Sequence, residues 1–205
     1  MSTRVIRLLS VLVLAAALGL VVFLSRQSET LRAEAALQRR RANFPRAGQY
    51  VPPLRLATDS GDSLTLGEGK SGERQVLLVF QAKCGFCKAD APTWKAVAKR
   101  IEANPSGLLR VIGVSVDSSD TTAHRYAREQ RFTFPIVRLP TQRWMALFHA
   151  RAVPTILLVD ADGQILFARS GELGRRSGVD SLFAVTKRPA IAPTTVGPVK
   201  DSALR

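Results

Sequence analysis

Cys84 and Cys87 are the only cysteines in the 205-residue chain, and Gly85 and Phe86 separate them. A Cys-x-x-Cys spacing admits three chemistries: a reversible disulfide, half of a zinc site, or a clip for a soft metal. Zinc needs four ligands, and beyond this pair the chain offers no second cysteine pair and only His124 and His149. Copper needs fewer, so Cys84, Cys87 and His149 could form a three-coordinate site, which makes a copper-carrying binding module the rival to a redox enzyme. The plainest alternative is two buried small residues without chemistry. The favoured reading is the reversible disulfide, with no cofactor and no bound metal, because the surrounding pattern can activate one thiol.

That pattern is a strand, a turn and a helix. Residues 76–80 are apolar without alternation, as in a strand covered on both faces. From residue 84 to about 103, Trp94, Val97, Ala98 and Ile101 recur at helical spacing, with Pro92 inside and expected to kink the helix. Cys84 then stands at a helix N-terminus, where free backbone N–H groups favour the negative charge of a thiolate, and Lys83 and Lys88 add positive charge nearby. Cys87, one turn along and less exposed, is placed to resolve a mixed disulfide by attacking Cys84. Asp90 follows Cys87 by three residues on the same helix and could accept or relay a proton if partly buried; otherwise it is an exposed first-turn acid. Phe86 would present its ring to a partner. Val153-Pro154-Thr155 before an apolar run puts a proline at a strand start or a tight bend, a setting in which cis proline often occurs.

The remaining elements must hold these residues. Residues 51–66 read as an early hairpin around the turn 59–62, and residues 108–116 as a second buried strand. A helix capped by Asp120 or Thr121 runs to about Gln130, followed by an extended piece at 134–137 and a helix over 142–150. The Asp162-Gly163 turn joins apolar runs at 156–159 and 164–168 as a hairpin, and residues 179–187 form the last helix. Strand, helix, strand, helix, hairpin and helix together predict an α/β fold with a mixed sheet.

The net charge of +14 does not mark a nucleic-acid binder. Residues 1–46 hold eight Arg against two Glu, and the last nineteen residues hold four basic against one acidic, so most of the excess lies in the flanks. No basic helix with interleaved aromatics accompanies it. Residues 8–24 are an apolar run, close to the ~20 residues that cross a bilayer, behind a short basic segment at 1–7. A small-x-small site at residues 33–35 lies well past the run, which reads as an uncleaved membrane anchor. Residues 25–46 read as a charged helical stalk or linker, 47–187 as the globular domain and 188–205 as a Pro-rich disordered tail. Arg26, Arg32, Arg39, Arg40 and Arg41 after the run outnumber Arg4 and Arg7 before it, which by charge alone would keep the domain in the cytoplasm. A disulfide-cycling domain on a membrane is most useful where disulfides persist, so the expected location is the bacterial inner membrane with the domain facing the periplasm.

Gly48 with Val51-Pro52, the strand ending Leu78-Val79-Phe80, Cys84-Gly85-Phe86-Cys87, Pro92, residues 111–117, Ala152-Val153-Pro154-Thr155 and Asp162-Gly163 occur in order. Together they resemble the TlpA/ResA/CcmG group of membrane-anchored thioredoxin-like thiol-disulfide oxidoreductases, and more weakly MauD-type accessory proteins. The resemblance implies a thioredoxin-like fold, with Cys84 as nucleophile, Cys87 as resolving thiol and Pro154, after Val153, as a cis proline beside them. It also implies that Asp90 stands where ResA-like members carry a glutamate. Its partners would be protein dithiols or disulfides and an upstream membrane electron donor, in cytochrome or metalloenzyme maturation. Two departures are Lys83, where the group commonly has tryptophan, and Gly85-Phe86, where it often has a proline. Reductase is the family default, and Lys83 leaves oxidase or isomerase open. A peroxiredoxin is not expected, since Phe80-Gln81-Ala82-Lys83 replaces the Pro and Thr that should precede the first cysteine.

Overall fold

The computed structural model describes residues 18–32, 34–35, 44–104, 107–174 and 178–186. The chain divides between Phe44 and Pro45 into two units. In the first, residues 18–32 form a helix, α1, whose side chains are almost all exposed. Most of the expected anchor, the basic N-terminus, residues 36–43 of the stalk and the whole of the tail lie outside the described residues. Among the described residues, no helix is long and apolar enough to cross a membrane.

The second unit carries a five-stranded mixed sheet in the order β5-β4-β3-β6-β7 and a separate two-stranded hairpin, β1-β2. Along the chain these are β1 (Leu54–Ala57), β2 (Ser63–Leu66), β3 (Arg74–Phe80), α2 (Gly85–Glu102), β4 (Leu109–Ser115), α3 (Asp120–Gln130), β5 (Ile136–Arg138), α4 (Gln142–Leu147), β6 (Thr155–Val159), β7 (Ile165–Ser170) and α5 (Gly178–Thr186). β3 pairs parallel with β4 and antiparallel with β6, so it is the central strand. Every one of its residues is buried, as the unbroken apolar run requires.

The period-2 geometry of strands splits that run between two cores. Val76, Leu78 and Phe80 join Ile156 and Leu158 of β6 in a cluster covered by side chains of α2, α3 and α5. Leu77 and Val79 join Leu157 and Val159 in a second cluster with Ile112, Val114, Phe148 and the hairpin residues Leu64 and Leu66. The sheet is thus covered on both faces, and the carboxyl ends of the parallel strands β3 and β4 lie side by side. Phe80 pairs with Ser115 there, which brings the chain leaving β3 toward Cys84 next to the chain leaving β4 toward Asp117.

Two local expectations are corrected. Ser119, not Asp120 or Thr121, caps α3: its Oγ accepts a hydrogen bond from the Thr122 N–H at 3.3 Å. Helix α4 ends at Leu147, because Phe148 is no longer helical and His149 takes a left-handed backbone with φ 53°. Helix α2 continues through Pro92 as one element, so the proline removes one N–H from the helical ladder without ending the helix.

Candidate active site

Helix α2 begins where the sequence places the cysteines. Cys84 is its N-cap, with extended φ −76° and ψ 116°, and its Sγ accepts a hydrogen bond from the Cys87 N–H at 3.3 Å. The sulfur therefore takes the role that a Ser or Asp oxygen usually plays at this position, satisfying one of the free N–H groups of the first turn. Both cysteines are free thiols; Cys84 is partly exposed and Cys87 is buried. Burial pushes the Cys87 thiol well above its ordinary range, with the Cys84 side chain and, last, the charge of Asp90 adding to the same effect.

The opposite wall is the turn before β6. The Val153–Pro154 peptide is cis, as the resemblance implied. The Val153 carbonyl oxygen lies 3.9 Å from Cys84 Sγ. Hydrogen bonds pin this turn: Thr155 Oγ1 donates to the Ala152 carbonyl at 2.8 Å and lies 2.8 Å from Ser170 Oγ, and the Gly171 N–H donates to the Pro154 carbonyl at 2.8 Å. An open groove of about 360 Å³ runs beside it, lined by Phe86, Val153, Pro154, Arg169, Ser170 and Glu172. Phe86 is 64% exposed, so its ring faces solvent as expected. Lys83 and Lys88 are exposed on either side of Cys84.

Asp90 differs from one of its two readings. It is not an exposed first-turn acid: it is 2% exposed, and its carboxylate accepts from Trp94 Nε1 at 2.7 Å, the Leu173 N–H at 2.8 Å and the Gly174 N–H at 3.0 Å. It thereby clasps the segment after β7 onto α2, close under Cys87. The rival copper site is not assembled. Among the described residues, no group of three His, Cys, Asp or Glu side chains could hold a metal ion. His149 lies on the turn after α4, where it bonds the Tyr50 backbone and burial holds its imidazole below the ordinary range.

Two residues of the site escaped the sequence reading. Asp117 is buried; its carboxylate accepts the Ala82 N–H at 3.0 Å and the Ser115 hydroxyl at 2.9 Å, tying the loop that carries Cys84 to the end of β4. Its signal was its place just past the carboxyl end of a parallel strand. Tyr126 of α3 is buried with its hydroxyl unpartnered, and burial, followed by the nearby sulfurs of Cys87 and Cys84, raises its phenol above the ordinary range. A helical tyrosine among core positions carries no such signal.

No curated protein matches the chain by sequence. Solved structures do match in fold. The thioredoxin domain of a thiol-disulfide oxidoreductase from Bacteroides vulgatus superposes with a TM-score of 0.57 at 18% identity, over 69% of this chain and 99% of that one. StoA from Bacillus subtilis gives a TM-score of 0.54 at 19% identity, over 66% and 97%. A secreted Mycobacterium tuberculosis disulfide oxidoreductase homologous to E. coli DsbE gives 0.51 at 19% identity, over 65% and 93%. At such identities these likenesses establish the thioredoxin-like fold. Residues 47–168, more than half of the chain, match the AhpC/TSA family, and the chain belongs to that family of thioredoxin-like thiol redox enzymes.

Proposed function

We propose that the protein is a membrane-anchored, extracytoplasmic thiol-disulfide oxidoreductase that reduces disulfides of protein partners, in cytochrome or metalloenzyme maturation. The observation that carries this reading is the asymmetry of the pair: a partly exposed Cys84 sulfur at the cap of α2, against the cis-Pro154 turn, with a buried Cys87 one turn in. The Cys84 thiolate attacks one sulfur of a partner disulfide, forming a Cys84–partner disulfide and releasing the partner's other sulfur as a thiolate. Cys87 then loses its proton and attacks Cys84, forming the Cys84–Cys87 disulfide and releasing the second partner thiolate. Two electrons pass from the pair to the partner, and the two cysteine protons end on the partner's thiols. A second dithiol protein, the upstream electron donor, restores the pair by the same exchange in reverse.

Reduction is the default direction of the group that the sequence resembles, and the buried Cys87 suits the resolving role. Membrane attachment rests on the apolar run at residues 8–24, and the outward-facing domain on where a disulfide-cycling pair is useful, against the arginine excess that follows the run. The Mycobacterium tuberculosis relative is described as secreted, which agrees with a domain beyond the membrane.

The test is trapping. Cys87→Ala should accumulate a mixed disulfide through Cys84 with a protein disulfide substrate, and Cys84→Ser should abolish it; absence of any adduct would overturn the reading. A potential for the pair near about −270 mV marks a reductase, and one near about −120 mV an oxidant. A reporter fused after Arg205 that is active in the cytoplasm would overturn the location.

A further inference from the structure

The fixed charges around the dithiol are one-sided. Lys83 directly precedes Cys84, and Lys88 stands one turn beyond it, its N–H donating to the Cys84 carbonyl at 3.2 Å; both side chains are exposed. Arg151 is also exposed and precedes by two residues the Val153 carbonyl that lies 3.9 Å from Cys84 Sγ. Two residues of extended chain span no more than about 7 Å, so the Arg151 backbone lies close to this contact and its exposed side chain is long enough to reach the same rim. The acids nearby do not offset these cations at the surface. Asp90 and Asp117 are both buried, and their carboxylates are occupied by N–H and hydroxyl donors. Arg169 and Glu172, one of each sign, line the groove and leave it close to neutral. The face therefore combines an apolar feature, the exposed Phe86 ring beside the Pro154 groove, with a rim of Lys83, Lys88 and Arg151.

We propose that this face docks an acidic protein segment: a partner disulfide flanked by Asp or Glu side chains, which meet Lys83, Lys88 and Arg151, and by an apolar side chain set against Phe86 and Pro154. The inference rests on the thiol-disulfide exchange proposed above and names its substrate class. Charges at an exposed rim act mainly on the rate of encounter, and they are screened by salt. The selectivity should accordingly appear in the second-order rate constant of the first exchange step.

The test uses the full chain, reduced, in neutral detergent micelles. Three disulfide-bonded peptides of identical sequence serve as substrates, except that the residues flanking the disulfide are Glu, Gln or Lys. At low salt the rates should fall in the order Glu, Gln, Lys, with about a tenfold span or more between the ends, as expected for electrostatic steering. Near 1 M salt, where the Debye length is about 3 Å, the span should collapse. Arg151→Glu should shrink the Glu-to-Lys ratio several-fold, and Arg151→Gln gives the milder version should the reversal impair folding. Equal rates for the three peptides, or a ratio indifferent to both salt and Arg151, would overturn this inference and leave the exchange activity standing. Failure to reduce any of the three, the Gln peptide included, would overturn the exchange reading and this inference with it.

Discussion

Cys84 and Cys87 sit three residues apart on one helix turn yet meet different surroundings, and this difference sets their reactivity. Cys84 caps the helix with its sulfur partly in solvent, while Cys87 is wholly buried and its thiol is held up chiefly by desolvation. Iodoacetamide at pH 8 should therefore alkylate Cys84 and spare Cys87 in the folded reduced protein, read by mass spectrometry of peptides; equal labelling would refute this. The same shift couples to stability. In the unfolded chain a cysteine sheds its proton near pH 8.5, whereas folded Cys87 keeps it. The stabilisation is complete below that pH and is lost as pH rises above it, at roughly 1.4 kcal/mol per unit. Urea unfolding at pH 7.5 and 9.5 should show this loss in the reduced protein and not in Cys87→Ala. Tyr126, also raised, contributes only above about pH 10, where an unfolded tyrosine ionises. Asp90→Asn offers a contrasting case: its amide would turn N–H groups toward donors that now reach a carboxylate, at a cost of about 1–3 kcal/mol. Because desolvation outranks the Asp90 charge in holding Cys87 up, the variant should keep the wild-type alkylation pattern.

At the scale of elements, the site is a junction of chain ends. β3, β4 and β6 finish or begin at one edge, and short hydrogen-bonded connectors, rather than the strands themselves, hold Cys84 and Pro154. The early segment is held at the other end by the β6–β7 turn, where the Val51 N–H donates to the Gly163 carbonyl at 2.9 Å. Gly163 has φ 84°, and a Cβ there would run into the Val51 carbonyl oxygen. Gly163→Ala should therefore lower stability by more than ~1 kcal/mol, measured by thermal unfolding, with little change in Cys84 reactivity. The alternation of strands, the helical period of α2 and the Asp-Gly turn were all readable from the order of residues, because each depends on neighbours within a few positions. The Ser119 cap and the early end of α4 were not. Several adjacent polar residues can cap a helix, and the choice falls to the one whose backbone is extended when the strand before it is fixed.

Taken whole, the globular unit is a sheet with two cores, and its pH response reaches beyond the dithiol. His149, half-buried and bonded to the Tyr50 backbone, is held below the ordinary range by desolvation, so the unfolded chain binds its proton first as pH falls. Its contribution is present above about pH 6.5 and is lost below it. Between pH 7 and 5 the wild type should lose stability more steeply than His149→Gln, and parallel curves would refute the assignment. The sequence alone narrowed the chemistry and determined the architecture: two cysteines at a strand–helix junction, too few other ligands for zinc, and a strand–helix order that builds a mixed sheet. These are local in the chain, set by spacing and period. Tertiary structure alone decided that His149 is no partner of the cysteines, that Asp90 is a clasp buried under Cys87, and that Asp117 holds the loop before Cys84. Each depends on where segments dozens of residues apart come to rest, and spacing along the chain does not encode that distance.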